Sequence, residues 1–334
     1  MATYLTSPPF SRFTLFPKKV RCCIVCHKMA ENQRKKIVVI VGPTASGKSD
    51  LGIKLARKFN GEIISADSRQ VYKRMDIGTG KVTKKEQRLV KHHLLDIANP
   101  KKVFTVSDFK RLGEKSIKNI LSKNKIPFVV GGTGFYIDAL VKNSTIPEVP
   151  PNKKLRAGLE KMSAEDLYNK LNKLDPKKAQ NIDKKNKRRL IRALEIIEMT
   201  GKPVPSVKES PEYEVLYLGI NPPKNILEKK IKLRLEKRLK QGMVKEVKRL
   251  IAQGINKKRL FDLGLEYRWL SEYLSGKISY DEMRSSLLRA IIKYSKRQMT
   301  WFKRNKEIHW LVPSKAEGIK TEKQAEKLVR KFIF

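Results

Sequence analysis

The chain has 334 residues, 40% of them hydrophobic, which is enough to bury the core of one large α/β domain and a smaller one without disulfides or structural metals. Its 75 Lys and Arg outnumber 33 Asp and Glu, so the net charge is +42 at pH 7. This excess indicates a polyanionic partner, in the first place a nucleic acid, and the alternative is a Lys-rich composition spread over solvated helix faces.

Residues 1–28 contain all three Cys, and Cys23, Cys26 and His27 form the CxxCH pattern of haem attachment. The segment lacks the continuous apolar stretch of an export signal, so we do not expect haem. It contains no Asp or Glu, as in a mitochondrial transit peptide, and Met29 offers a second possible start. We interpret residues 1–28 as an extension outside the folded enzyme. We expect a cytoplasmic protein, or a mitochondrial one if this segment is a transit peptide.

The first predicted element is the buried strand KKIVVIVG, which runs into the phosphate-binding pattern GPTASGKS at residues 42–49. KSDLGIKLARKF follows with apolar residues at helical spacing. Strand, glycine-rich loop and helix are in the order of a P-loop, so this segment predicts a phosphate site.

The pattern then continues to alternate between strands and helices. GEIISADS predicts a strand that ends at Asp67, TVSDFKRLGEKSIKNILSKN predicts an amphipathic helix capped by Thr105 or Ser107, and KIPFVVGGTG predicts another buried strand. Alternation of this kind is typical of a doubly wound parallel sheet. The predicted fold class is therefore α/β, with a P-loop NTPase-like parallel sheet core.

A helical insertion is predicted after residue 144. STIPEVPP resembles a linker, residues 153–200 are helical and basic, and GKPVP closes the segment. YEVLYLGI returns to a core strand, residues 221–254 predict a long basic helix or a helix pair, and EIHWLVP predicts a last strand. We assign residues 29–144 and 205–313 to the P-loop core, 145–204 to a basic helical insertion domain, and 314–334 to a C-terminal tail for which the pattern predicts a helix.

The P-loop residues fit phosphate chemistry. Gly42 and Gly47 let backbone N–H groups converge on phosphate oxygens, Lys48 adds a positive charge, and the Ser49 hydroxyl is suited to Mg²⁺. A kinase or ATPase would need a further acid, yet the third strand ends in Gly131 and Gly132. Asp67 is then the acid at a strand end beside the loop, either as a metal ligand or as a general base.

Seven motifs together resemble the tRNA dimethylallyltransferase family from about residue 36 to residue 313. They are GPTASGKS, SADSRQVYKRMDIGTGKVT, HHLLDIANP, VVGGTGFYIDAL, RRLIRALEI, LGLEYR and KRQMTWFKR. The resemblance implies that the P-loop holds the diphosphate of dimethylallyl diphosphate with Mg²⁺. It further implies transfer of the prenyl group to N6 of the adenine 3′ of the anticodon, and we expect a monomer that binds the tRNA anticodon stem-loop and no membrane.

The resemblance also implies roles for individual residues. Asp67 would be the general base, Thr133 would meet the target base, although alone it is equally a helix cap, and Lys48 would assist the leaving group. The implied diphosphate ligands are Gly42, Pro43, Thr44, Ala45, Ser46, Gly47, Lys48, Ser49 and Arg234. The implied tRNA contacts are Asp67, Ser68, Arg69, Gln70, Thr133, Arg156, Arg188, Arg189, Leu190, Ile191, Arg192, Gly264, Leu265, Glu266, Tyr267 and Arg268. For each basic residue among them, a solvated surface charge is the alternative.

Three other functions fit parts of the pattern. An adenylate prenyltransferase would share the site but would not need the basic insertion or the RQMTWFKR segment. A small-molecule P-loop kinase would want an acid two residues after Asp67, where Arg69 stands. A non-catalytic RNA-binding protein would not need the intact Gly47, Lys48, Ser49 and Asp67. His92 and His93 are adjacent, without further ligands nearby, so we do not expect a metal there.

Overall fold

A computed structural model describes residues 34–313 and 318–334. The haem, transit-peptide and start-site interpretations of residues 1–28 lie outside the described residues. Lys36–Phe334 form one compact unit, and of the other unit, Met1–Lys35, only residues 34 and 35 are described. No helix in the described part of the chain is long and apolar enough to cross a membrane.

Six strands form one sheet in the order β3-β2-β4-β1-β5-β6. Their bounds are β1 Lys35–Val41, β2 Gly61–Ala66, β3 His92–His93, β4 Ile126–Gly131, β5 Tyr213–Ile220 and β6 His309–Leu311. The pairs β1–β4, β2–β4, β2–β3 and β5–β6 are parallel, with Val41 and Ala66 both in register with Gly131. Because the strands are parallel, the carboxyl ends of β1, β2 and β4 meet at one edge of the sheet, which confirms the predicted fold class.

Fourteen helices are described. Those of the sheet region are α1 Lys48–Lys58, α2 Lys84–Leu89, α3 Val106–Leu121 and α4 Gly134–Val141; then come α5 Lys153–Lys161, α6 Ala164–Leu174, α7 Pro176–Gln180 and α8 Lys187–Thr200; and finally α9 Lys224–Lys240, α10 Met243–Ala252, α11 Lys257–Leu263, α12 Leu265–Leu274, α13 Tyr280–Phe302 and α14 Gly318–Ile333. Thr105, not Ser107, caps α3. Its hydroxyl accepts from the Asp108 N–H, and the Asp108 carboxylate accepts from the Thr105 N–H. The basic segment 221–254 is a helix pair that breaks at Gly242, whose φ of 95° favours glycine.

The apolar residues of β1 alternate between two cores. Ile37 and Val39 belong to the core that contains Phe109 of α3, whereas Val38 and Ile40 belong to the core that contains Leu55 of α1. Helices therefore cover both faces of the sheet, as a doubly wound arrangement requires.

Helices α5 to α8 have a hydrophobic cluster of their own, built around Leu159, Leu167, Leu171, Leu190 and Leu194. A separate cluster supports the idea that this helical segment is a unit added to the sheet core. The exact division at residues 145 and 204 stays a prediction. Helices α9 to α13 share another cluster with residues 71–75 beside the site.

The C-terminal helix α14 packs against α1, the helix that follows the phosphate loop. Ala325 and Val329 are fully buried in the same cluster as Leu55. Lys54 and Lys58 of α1 pair with Glu322 and Glu326 of α14. These pairs are largely exposed and contribute little, so burial of the apolar face holds α14 in place.

We expect Val329→Ala to lower the free energy of unfolding by roughly 1–3 kcal/mol because it leaves a cavity between α14 and the sheet. Val312→Ala is the matched control, since Val312 is 56% exposed and the change should cost less than about 0.5 kcal/mol. Urea unfolding of both variants measures the difference. Equal effects would mean that α14 does not share the core.

Candidate active site

The phosphate loop, residues 42–49, lies at the carboxyl edge of the sheet between β1 and α1. A side chain at Gly42 would meet the Ile220 carbonyl oxygen at 2.8 Å, so only glycine lets the loop start this close to β5. Gly47, with φ 95°, turns the chain into α1. Both glycines are therefore required by backbone geometry, as the sequence predicted.

Most N–H groups of the loop are free to bind an anion. In the described part of the chain, those of Ala45, Gly47, Lys48 and Ser49 have no hydrogen-bond acceptor. They stand at the N-terminus of α1, whose dipole adds positive potential. The loop is thus built to hold phosphate oxygens by its backbone.

Two half-buried cations reinforce this potential. The Lys48 ammonium donates to the Pro43 carbonyl at 3.2 Å, and burial, together with the charge of Arg234, lowers the pKa of Lys48 to about 8. Burial and the charge of Arg238 lower the pKa of Arg234 to about 10. Both cations are therefore in surroundings that favour an incoming anion.

The turn at Gly80 holds these arginines in position. Arg234 donates to the Gly80 carbonyl at 3.2 Å, and any side chain at Gly80 would collide with both guanidinium groups of Arg234 and Arg238. Arg238 in turn pairs with Glu266 at 2.8 Å. Arg234 therefore lies at the phosphate site, as the sequence analysis predicted for it.

Asp67 follows β2 at the same edge of the sheet. Its Oδ1 accepts from the N–H groups of Arg69, at 2.8 Å, and Gln70, at 3.3 Å, which fixes the carboxylate. No described residue donates to its Oδ2. One oxygen is therefore held by the loop, and the other can accept a proton or bind a cation.

Asp67 stands where two cavities meet. The smaller, of about 50 Å³, contains Lys48, Ser49 and Arg234 in its wall. The larger, of about 640 Å³, is open to the surface. Thr44, Asp67 and Thr79 line both. A molecule in the phosphate cavity and another in the larger cavity would thus approach each other at Asp67.

The wall of the larger cavity is basic. It contains Arg69, Arg188, Arg238, Arg268, Arg289, Lys293 and Arg297. Arg268 also lies over the ring of Phe261, at 4.1 Å, and that of Trp269, at 5.5 Å. Cationic and aromatic groups in one wall suit a single-stranded nucleic acid, whose phosphates need charge and whose bases need flat surfaces.

Thr133 lies close to Asp67, and its side chain does not cap a helix. It is the residue before α4, yet its hydroxyl makes no cap bond and instead accepts from the Ser68 N–H at 3.1 Å. The hydroxyl of Tyr294 on α13 lies beside it. Thr133 lines neither cavity. Its direct contact with a target base therefore stays a prediction.

The residues after Asp67 divide between the two cavities. Ser68 and Arg69 line the larger one, whereas Gln70 lines the smaller. The buried Gln70 amide donates to the Gly80 carbonyl at 3.3 Å. Gln70 therefore supports the wall of the phosphate cavity, whereas the sequence analysis predicted contact with tRNA for it.

Arg156 and Arg192 of the helical segment are bound to Glu195, which is fully buried. Arg156 donates to both Glu195 oxygens at 2.7 and 2.6 Å, and Arg192 donates at 2.5 Å. Burial alone would raise the pKa of Glu195, but these bonds and one from the Asn152 N–H lower it to about 2. Arg156 therefore holds α5 against α8, whereas Arg192 pairs with Glu195 within α8 and also donates to the Pro147 carbonyl at 3.4 Å. The sequence did not indicate either role.

The other residues predicted from RRLIR fall into two groups. Arg188 and Arg189 are exposed, and Arg188 reaches Asp262 beside the larger cavity at 3.4 Å. Leu190 and Ile191 are buried in the cluster of the helical segment, so their side chains face its core and not a partner.

Four of the five residues of segment 264–268 line the larger cavity, namely Gly264, Leu265, Glu266 and Arg268. Glu266 also pairs with Arg238. Tyr267 is buried and donates to Glu246 at 3.0 Å. Glu246 also accepts the N–H groups of residues 76–78, so Tyr267 stabilises the loop that leads to Gly80.

Sequence reasoning missed Gln298 and Tyr294, both on α13. The Gln298 amide binds Thr44 in the phosphate loop and Gly132 after β4. The four-residue spacing, which puts both side chains on one helix face, and the presence of Gln298 in KRQMTWFKR were the available signals.

The described residues include no group of three or more His, Cys, Asp or Glu that could hold a metal alone. His92 Nδ1 binds the Val90 carbonyl, and burial lowers the pKa of His92. His93 pairs with Glu62 at 2.7 Å. The Ser49 hydroxyl and Asp67 carboxylate, by contrast, share the phosphate cavity, where oxygen ligands of a bound diphosphate could complete a divalent-cation site.

The sequence comparisons give one family. Residues 70–305 match the model of the IPP transferase family. Proteins called tRNA dimethylallyltransferase from Pelotomaculum thermopropionicum and Acetivibrio thermocellus are 39% and 42% identical, over 84% and 82% of this chain and 92% and 91% of theirs. The chain belongs to the tRNA dimethylallyltransferase family.

Solved structures of this family have the same fold. The tRNA isopentenylpyrophosphate transferase of Bacillus halodurans is 34% identical, with a TM-score of 0.68 over 90% of this chain and 96% of that one. A eukaryotic dimethylallyltransferase acting on tRNA is 26% identical, with a TM-score of 0.76 over 90% of this chain and 79% of that one.

We expect the affinity of the loop for inorganic diphosphate to fall as the pH rises from about 7 to about 9.5, because Lys48 is charged below its pKa of about 8 and loses that charge above it. Lys48→Arg stays charged throughout this range, so its change reports titration of the ligand alone. Calorimetric titration of both proteins measures the difference. The same fall in both would show that Lys48 does not set the pH dependence.

Proposed function

We propose that this protein transfers the dimethylallyl group of dimethylallyl diphosphate to N6 of the adenine 3′ of the anticodon in tRNA. The observation that carries the proposal is the position of Asp67 between the phosphate cavity and the larger basic cavity. Membership of the tRNA dimethylallyltransferase family supports prenyl transfer to tRNA.

In the reaction, the bond between the allylic C1 and the diphosphate oxygen breaks, and its electron pair leaves with the diphosphate. N6 of adenine forms a bond to C1 with its lone pair and loses one proton. Asp67 Oδ2, which no described residue occupies, would accept that proton. N6 is a weak nucleophile because its lone pair is delocalised into the ring, so a placed base is worth roughly 10²–10⁴-fold.

The leaving diphosphate gains negative charge as the bond breaks. We assign its binding to the loop 42–49 with Lys48 and Arg234, whose lowered pKa values reflect burial in a site that favours an anion. A divalent cation, for which we propose Mg²⁺, would offset the same charge, and Ser49 is the residue that would hold it together with diphosphate oxygens.

The tRNA would lie in the larger cavity. Reaching an anticodon-loop adenine requires its removal from the stack, at a cost of a few kcal/mol. Arg268 with Phe261 and Trp269 offers a surface for neighbouring bases, and exposed Arg188 offers contact to phosphate. This wide basic cavity favours RNA over the free adenylate of the alternative prenyltransferase.

A labelling assay tests the function. The protein is incubated with radiolabelled dimethylallyl diphosphate and, in turn, unmodified tRNA, AMP or ATP. Label on tRNA is expected. Label on AMP or ATP alone would indicate the adenylate prenyltransferase, and label on none would contradict the proposal.

We expect Asp67→Asn to lower kcat by roughly 10²–10⁴-fold with the Kd for tRNA little changed, since the amide keeps the size and the acceptor for the Arg69 N–H but cannot take a proton. Single-turnover kinetics and filter binding measure the two quantities. If Asp67 holds the cation instead, the main loss is in affinity for dimethylallyl diphosphate and higher Mg²⁺ recovers part of it. A near-normal kcat would contradict both roles.

We expect Arg188→Ala with Arg189→Ala to raise the KM for tRNA without changing the thermal midpoint, because both side chains are exposed. Arg192→Ala should instead lower the thermal midpoint, since it leaves buried Glu195 with one partner fewer. Kinetics and thermal unfolding of the variants separate the two cases. Loss of stability in the Arg188 and Arg189 variant would assign these residues to the fold.

A further inference from the structure

The Gln298 side chain connects the two strand ends that form the site. It is buried, and it projects from α13 between the phosphate loop and the turn after β4. Its Oε1 accepts from the Thr44 N–H at 2.8 Å, and its Nε2 donates to the Gly132 carbonyl at 2.8 Å. A backbone N–H can only donate and a carbonyl can only accept, so the orientation of this amide is fixed.

The turn after β4 is shaped to accept this amide. A side chain at Gly132 would collide with Gln298 Nε2, although the φ of Gly132 is not in the left-handed region. Glycine is therefore needed at this position for the approach of Gln298, not for the turn itself.

Two more contacts extend the connection to Asp67. Gly132 precedes Thr133, and the Thr133 hydroxyl accepts from the N–H of Ser68, the residue after Asp67. The hydroxyl of Tyr294, one turn before Gln298 on α13, lies beside the same Thr133. One helix face thus touches the phosphate loop and the turn that supports the residue we propose as the base.

We propose that Gln298 is a positioning residue that sets the phosphate loop against the Gly132–Thr133 turn and thereby the leaving group against Asp67. The effect on prenyl transfer rests on the proposed function, whereas the effect on the loop does not. With the Thr44 N–H held by Gln298, the free N–H groups of Ala45, Gly47, Lys48 and Ser49 are kept in one orientation toward an anion. Preorganised donors bind without the cost of ordering them.

Gln298→Glu tests this with almost no change of shape. A carboxylate still accepts from the Thr44 N–H, but its second oxygen faces the Gly132 carbonyl and repels it. Once protonated, the carboxyl group can donate there as Nε2 does. Burial beside a carbonyl raises the pKa of this carboxyl group, and Lys48, which also lies next to Gly132, is the cation that opposes the rise. The variant should therefore be defective at pH 8 and recover at about pH 6.

The probe is inorganic diphosphate, whose affinity is measured by calorimetry at both pH values for wild type, Gln298→Glu, Gln298→Leu and Thr300→Ala. Thr300 lies on the same helix but is exposed, so its variant is the control. At pH 8 we expect about a 10-fold loss in both Gln298 variants. At pH 6 Gln298→Glu should return to within about 3-fold of wild type and Gln298→Leu should not. Equal loss in both at the two pH values, following the thermal midpoint, would overturn the proposal.

A double-mutant cycle identifies the partner. Gly132→Ala should weaken diphosphate binding as much as Gln298→Leu does, and the double variant should be little worse than either, since both changes remove the same contact. Additive losses would show that the two residues act independently and would contradict the proposal.

Prenyl transfer to tRNA gives the last readout. Gln298→Glu should show a higher KM for dimethylallyl diphosphate and a lower kcat, with the Kd for tRNA within about 2-fold of wild type. If wild type modifies no tRNA, the proposed function fails while the diphosphate measurements still decide the role of Gln298. A loss of tRNA affinity with normal diphosphate binding would contradict that role.

Discussion

Crowding of positive charge at three wholly or partly buried side chains beside the phosphate loop is the constraint on which the rest of the site depends. Lys48, Arg234 and Arg238 lie close enough that burial and mutual repulsion lower the pKa of Lys48 to about 8 and that of Arg234 to about 10. Such an arrangement opposes folding unless neighbouring groups compensate. Glu266 compensates Arg238, and an anion in the phosphate cavity would compensate the other two. The site is thus least favourable when empty and most favourable around a diphosphate.

The loop of residues 76–80 leaves room for Arg234 and Arg238 to approach the phosphate loop. Glu246 is buried and receives three backbone N–H groups from this loop and the hydroxyl of Tyr267, so its carboxylate is fully hydrogen-bonded. The loop then reaches Gly80, where any side chain would displace Arg234 and Arg238. Glu246 and Gly80 do not belong to the phosphate loop, yet they fix the positions of Arg234 and Arg238 beside it.

The phosphate loop and Asp67 could be predicted from the sequence because both depend on local order along the chain. Strand, glycine-rich loop and helix are consecutive, and Asp67 follows a strand whose end must lie at the ligand-binding edge of a parallel sheet. Arg234 could be proposed only through the family resemblance, because its helix carries many basic residues; it lines the phosphate cavity, and its contact with diphosphate stays a prediction. A charge in register with the buried Ile231 and Leu235, as at Arg238, was a further signal of burial.

The roles of Arg156 and Gln298 could not be read from local pattern because each depends on a partner far away in sequence. Arg192 has its partner Glu195 three residues further along the same helix, but nothing local shows that this acid is buried. An arginine bound to a buried acid and one that faces RNA look alike in a helix. The signal that could have separated them was Glu195 itself, an acid within the apolar run LEII, since a buried carboxylate must have cationic partners. The sequence indicates less about Gln298, because a buried amide can hydrogen-bond any pair of backbone groups.

Helix α13 connects the basic wall of the larger cavity to the phosphate loop. Arg289, Lys293 and Arg297, four residues apart, line the larger cavity, whereas Tyr294 and Gln298 on the neighbouring stripe contact Thr133 and the phosphate loop. A helix transmits position along its length because its backbone is hydrogen-bonded throughout. The basic wall of the larger cavity and the side chains that contact the phosphate loop and the turn after β4 are therefore fixed to the same rigid element. The distance between leaving group and target base is then a property of the folded protein, available before either substrate binds, and reaction would need only the extrusion of the adenine toward Asp67.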